Sequence, residues 1–179
     1  MMLLIRSLVF LCSALLLFAV AAAKAEQYDE YNIKAALLYN FTRFVEWPRQ
    51  SLPGNKHHFK ICVYGNDPYG NRLDALEERN RNNITVYRHR LLKESITGCQ
   101  IIFITKTTKG QVVEAISFFK NRPVLTVGET PDFVVHGGII GLIREQDRIM
   151  FEINLAAANE AGLELSSQLL RIATRVITE

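Results

Sequence analysis

The triplet His136-Gly137-Gly138 is the part of this chain that most resembles catalytic machinery, because a glycine-rich turn can aim backbone N–H groups at a developing oxyanion. Its usual companion, a Gly-x-Ser-x-Gly elbow presenting a nucleophile, is absent. A turn that needs glycine flexibility explains the triplet better. Neither the phosphate-cradling P-loop nor the Gly-x-Gly-x-x-Gly fingerprint occurs. The histidines, His57, His58, His89 and His136, form no i, i+4 pair and lie at no ligand spacing from a carboxylate, so no dedicated metal site is expected. Asp67 and Glu152 are the carboxylates to consider for acid–base work, yet nothing in the sequence brings them to a common substrate. A turn-forming Asp and an outward-facing Glu are their expected roles. The expectation is therefore no catalytic residue, no metal and no cofactor.

Binding chemistry is better represented. The stretch Phe59 to Gly70, FKICVYGNDPYG, joins an apolar run to a turn, as a buried strand feeding a loop and a helix does. Gly65, Asn66, Asp67 and Tyr69 form a candidate ligand loop, since backbone donors at the carboxyl end of a central strand suit an anion or small polar ligand. The same residues also suit a plain turn. Cys62 lies within the strand, and Cys99 lies immediately before a later one.

Those residues must be positioned by a framework, which reads as alternating strands and helices. Ile33, Ala36, Leu37, Asn40, Phe41, Phe44 and Val45 fall at helical spacing over residues 29 to 47, with Pro48 as the stop, Asn40 on the buried stripe and Trp47 as a core residue. Strands are expected at Phe59 to Tyr64, Ile84 to Tyr87, Ile101 to Thr105 and Val124 to Val127, with helices from Pro68 to about Glu78 and from Gln111 to Lys120. The runs are short and apolar, as in strands covered on both faces. Ile139 to Arg144 and Ile149 to Asn154 flank a polar turn and predict a hairpin. Asn154 would cap a helix Leu155 to Ala161 stopped by Gly162, and Ser166 would cap a last helix carrying Leu169, Leu170, Ala173, Val176 and Ile177 on one side. The predicted class is α/β: three layers, a mostly parallel central sheet with flanking helices, and a C-terminal β-hairpin plus two short helices.

The 179 residues are 49% hydrophobic and 22% charged, ordinary for one globular domain. Arg6, the apolar run Leu8 to Ala22 and Ala23-Lys24-Ala25 predict a signal peptide over 1–25, cleaved after Ala25, and a single domain over 26–179. Cleavage would remove Arg6 and Lys24 from 21 basic residues and none of the 18 acidic ones, taking the formal charge from +3 to +1. So small a balance argues against nucleic-acid binding, which needs clustered cations. Cys12 would leave with the leader. Two remaining cysteines in an exported chain suggest one disulfide, the alternative being two buried thiols that never meet.

The helix ending in YNFTRFVEWP, the strand and turn ICVYGNDPYG with the distant GCQIIFI, and the end FEINLAAANEAGLELSSQLLRIA together resemble the YfiR family of exported bacterial proteins. The resemblance covers nearly all of the mature chain and none of these motifs is catalytic in kind. It implies a periplasmic, non-enzymatic regulator that binds and represses the periplasmic sensory region of an inner-membrane diguanylate cyclase, lowering cyclic-di-GMP and biofilm. It also implies a disulfide between Cys62 and Cys99, a homodimer, and an outer-membrane lipoprotein as a further partner. The second bridge of the family's prototype has no cysteines left to form it here. Arg43 on the first helix and Arg171 and Arg175 on the last are the candidate partner contacts. The alternative is a periplasmic small-molecule-binding sensor module acting on another membrane receptor or a sensor kinase.

Overall fold

The computed structural model describes residues 30–52, 58–80, 83–90, 92, 96, 98–105 and 108–179; the expected signal peptide and most of the polar loop before the first strand lie outside them. Helix α1 occupies residues 30–41 and is followed by β1 (Val45–Glu46). Then come β2 (Phe59–Tyr64), α2 (Arg72–Arg79), β3 (Ile84–His89), β4 (Ile101–Ile104), α3 (Lys109–Phe119) and β5 (Leu125–Gly128). The chain ends with β6 (Ile140–Glu145), β7 (Arg148–Asn154), α4 (Leu155–Glu160), β8 (Glu164–Leu165), α5 (Ser167–Ile172) and β9 (Arg175–Ile177).

A seven-stranded sheet in the order β3-β2-β4-β5-β6-β7-β9 forms the middle layer. Strands β3, β2, β4, β5 and β6 run parallel, β6 and β7 make the antiparallel hairpin, and β9 adds alongside β7 in parallel. Alternation along each central strand divides its side chains between two faces. Ile61, Val63, Ile101, Phe103, Leu125 and Val127 join Leu38 and Phe41 of α1, Leu73 of α2 and Leu169 of α5 in one core. Cys62, Tyr64, Ile102 and Ile104 join Val112, Ala115, Ile116 and Phe119 of α3 in the other. The sheet is thus covered on both faces, which is why its central strands β2, β4 and β5 show no regular polar alternation.

Three expectations are corrected. The first helix ends at residue 41, where Thr42, Arg43 and Phe44 donate to carbonyls three residues back and tighten the chain into a turn. Val45 and Glu46 then pair with Leu165 and Glu164. Its buried face is Lys34, Ala35, Leu38 and Phe41, while Ile33, Ala36 and Asn40 are exposed. The last helix stops at Ile172, because Thr174 N–H donates to the Phe151 carbonyl at 2.9 Å and leads the chain into β9. Val176 and Ile177 therefore belong to a strand. Both predicted caps hold: Asn154 Oδ1 accepts from Ala157 N–H at 2.8 Å, and Ser166 Oγ accepts from Leu169 N–H at 3.2 Å. Trp47 is buried, donates Nε1–H to the Gln100 carbonyl at 3.1 Å and packs on Phe59.

The His136-Gly137-Gly138 turn has a packing explanation. A Cβ at Gly138 would lie 2.1 Å from the Phe133 ring and one at Gly128 would lie 2.3 Å from it, so the ring is clasped between two glycines. Gly138→Ala is expected to cost about 1–3 kcal/mol by overpacking, read as a lower midpoint in urea denaturation.

Candidate functional site

From β2 the chain crosses to β3 on one side and then returns to β4 on the other, so the connection reverses direction between β2 and β4. Ligands of open α/β sheets occupy the crevice at such a point, beyond the carboxyl ends of the strands. The Gly65 to Gly70 loop does leave β2 there. Gly65, at φ +101°, presses on the end of β4 so closely that a Cβ would stand 2.3 Å from Thr105 Oγ1. Asp67 is committed to the turn: Oδ1 accepts from Tyr69 N–H at 2.7 Å and Oδ2 pairs with Arg88 Nε. Arg88 also reaches the Gly70 carbonyl at 3.0 Å and Asp74 at 2.8 Å; burial opposes its charge, but the Asp67 and Asp74 carboxylates together raise its guanidinium pKa. Tyr69 is wholly buried, edge-on to Tyr31 at 5.4 Å and to Phe103 at 5.0 Å. Asn66 faces solvent.

Above this crevice α1 is docked by charge. Lys34, 3% exposed, pairs with Glu30 on its own helix and with Glu129, the residue just after β5. Tyr31 donates its hydroxyl to Glu129 Oε1 at 3.2 Å, its ring lies under the Lys34 ammonium, and Arg144 reaches Glu30 at 3.3 Å. Burial, followed by the Glu129 charge, raises the Tyr31 and Tyr69 phenol pKa values well above the ordinary tyrosine range, keeping both neutral. Beneath lie three buried hydroxyls, of Tyr69, Thr105 and Thr130, with no hydrogen-bond partner among the described residues. Sequence reading missed this cluster. Its one signal was a lysine at a position where the apolar period of α1 calls for a core residue.

The remaining candidates fall elsewhere. His136 lines a cleft of about 350 Å³ between the end of α3, the turn before β6 and α4, with Lys120 and Glu160 paired at 3.6 Å on its wall. Among the described residues neither His136 nor Asp67 is hydrogen-bonded to a serine, threonine or cysteine, and the histidine that does meet a hydroxyl is His58, whose Nε2 lies 2.7 Å from Thr85 Oγ1. Glu152 pairs with Arg175 at 3.0 Å across β7 and β9. Arg43, Arg171 and Arg175 are all exposed. Ser166 N–H donates to the Phe44 carbonyl at 2.9 Å, which sets the start of α5 beside the Arg43 turn. Ile172 and Val176, 67% and 36% exposed, alternate with the two later arginines.

Cys62 and Cys99 form a disulfide with their Cα atoms 6.0 Å apart, tying the first strand of the sheet to the segment entering β4. The profile of the YfiR/HmsC-like family matches residues 31–174, a span that includes the bridge, the crevice and the C-terminal hairpin. The chain belongs to the YfiR/HmsC-like family. That family is regulatory rather than catalytic and is periplasmic, and no helix among the described residues is long and apolar enough to cross a membrane. Two solved structures show distant similarity. An ABC domain in complex with L-Trp from Streptococcus pneumoniae is 13% identical, with a TM-score of 0.47, over 66% of this chain and 55% of its own. A conserved domain protein from Vibrio cholerae is 15% identical, with a TM-score of 0.46, over 65% of this chain and 54% of its own. The chain spans little more than half the length of either.

Proposed function

We propose that this protein is a non-enzymatic regulator which binds and represses the periplasmic sensory region of an inner-membrane diguanylate cyclase. Membership of the YfiR/HmsC-like family is the observation that carries the proposal. On this reading residues 1–25 direct export and are cleaved after Ala25, and the mature chain acts as a homodimer that an outer-membrane lipoprotein can sequester. The contact face is Arg43, Arg171 and Arg175, with Ile172 and Val176 each following one of the later two. Guanidinium groups beside exposed aliphatic side chains suit an apolar patch with an acidic rim on the partner. The assembled charge pairs at the crevice are used within the fold, which supports docking rather than turnover.

The face has a direct test. Arg43→Glu combined with Arg171→Glu is expected to raise Kd for the purified sensory region roughly tenfold or more while the circular dichroism spectrum is unchanged. Undiminished affinity would remove the face from the proposal.

A second reading is favoured by the three unpartnered hydroxyls. A small polar ligand reaching Tyr69 and Thr105 beneath the Gly65, Asn66, Asp67 and Tyr69 loop would make the protein a sensor module for another membrane receptor or a sensor kinase. A thermal-shift screen decides it: a saturable ligand whose effect is lost in Tyr69→Phe supports it, and the absence of any such ligand leaves docking alone.

A further inference from the structure

His89 closes β3 on the sheet face that carries Cys62. Strand pairing sets Cys62 opposite Tyr87 and Tyr64 opposite His89, so alternation places the His89 ring beside Cys62 and Tyr64 rather than on the opposite core. Cys99 folds over the same face from the segment before β4. The result is that one imidazole nitrogen and both sulfurs lie within 4.8 Å of one another. The cysteines are 0% and 3% exposed, whereas His89 is half-buried. Its ring stacks on Tyr87 at 6.5 Å, and its backbone carbonyl accepts from Gly65 N–H at 2.9 Å, which fixes the strand end.

We propose that breaking the Cys62–Cys99 bond uncovers a Cys₂His site, completed by His89, which takes one borderline-soft divalent cation, Zn²⁺ by preference. Tetrahedral zinc needs sulfur at about 2.3 Å and nitrogen at about 2.0 Å, which puts its ligand atoms roughly 3.5–3.8 Å apart. Once the sulfurs part to that distance, the His89 nitrogen needs to move by only about an ångström, and the 6.0 Å Cα separation already suits two ligands on one ion. Two thiolates and an imidazole select zinc or a similar thiophilic ion over magnesium or calcium, and the fourth position is left for water. The chemistry balances. A dithiol reductant donates two electrons, its own sulfurs join in a disulfide, the Cys62–Cys99 bond becomes two thiols, and those thiols lose two protons to solvent as the cation binds.

The oxidised protein therefore has no such site, and the reduced protein has one. The test uses Co²⁺ as the probe with the purified chain, oxidised or reduced anaerobically by tris(2-carboxyethyl)phosphine, which ends as its oxide. The reduced chain is expected to bind one Co²⁺ with thiolate-to-cobalt charge-transfer bands and the intense d–d bands of a tetrahedral ion, to exchange it for Zn²⁺, and to show none of this when oxidised. His89→Ala, whose oxidised form should melt like the wild type, is expected to raise Kd for Co²⁺ roughly tenfold or more. Zn²⁺ should also raise the thermal midpoint of the reduced wild type, or restore its transition if reduction has unfolded it, and should do less for reduced His89→Ala. Absence of Co²⁺ bands together with no thermal effect of Zn²⁺ would overturn the proposal. Equal binding by wild type and His89→Ala would also overturn it.

Discussion

Cys62→Ala with Cys99→Ala is expected to lower the stability of the oxidised protein by about 2–4 kcal/mol. The bridged residues are separated by 37 positions, and the closed loop contains α2 and the edge strand β3. Opening it releases that whole segment in the unfolded ensemble, which by loop-closure entropy alone accounts for about 4 kcal/mol, with strain and residual structure lowering the figure. The alanine pair is the right comparison because both sites are buried, where serine would add an unpaired hydroxyl. Urea denaturation should show a lower midpoint. A midpoint equal to that of the bridged protein would show that the bond constrains nothing that the two cores do not already hold.

Lys34→Met should be as damaging, for a different reason. The Lys34 ammonium sits between Glu30 and Glu129, whose side chains are 18% and 10% exposed. Removing it takes the shared cation from both carboxylates; Glu30 keeps its pair with Arg144, whereas Glu129 is left with the neutral Tyr31 hydroxyl as a donor. Breaking one side of a buried ionic cluster costs about 3–5 kcal/mol, mostly the desolvation of the charge left behind. Lys34→Met combined with Glu129→Gln should recover a large part of that loss, because the uncompensated charge next to β5 is then gone. The double-mutant cycle measures the coupling. Additive losses would mean that α1 is held by Leu38 and Phe41 alone and that the charges are incidental.

The same residues show where sequence reading succeeds and where it fails. Strands β2, β4 and β5 are largely apolar runs, interrupted by Lys60 and Thr126, because both sheet faces are covered, so composition alone located them. The caps at Asn154 and Ser166 were legible because a capping side chain acts within three residues of itself. Strands β1 and β9 were not legible. Two or three residues carry no period, and Leu169, Leu170, Ala173, Val176 and Ile177 fit a helix until the edge of β7 offers the Phe151 carbonyl to Thr174. Lys34 disguised the buried stripe of α1, since a lysine is acceptable in a core only when distant acids meet it. The partner acid Glu129 lies 95 residues further along. His89 was read as one of several scattered histidines, and only the β2–β3 register brings it to the cysteines.

The candidate ligand loop and the arginine face were legible as residues and not as surfaces. Gly65, Asn66, Asp67 and Tyr69 were chosen as backbone donors, but Asp67 spends its carboxylate on Tyr69 and Arg88, and Tyr69 turns into the core. Arg43 and Arg171 come from opposite ends of the chain, joined through the β1–β8 pairing and the Phe44–Ser166 hydrogen bond. Tertiary contacts of that kind leave no local trace.

The most direct test of the regulatory reading is the intracellular cyclic-di-GMP level in a strain carrying the partner cyclase, with the gene for this chain deleted and then restored. Deletion should raise the level, the wild-type chain should return it to its starting value, and a folded, exported Arg43→Glu/Arg171→Glu chain should not. A level unchanged by deletion would contradict the account.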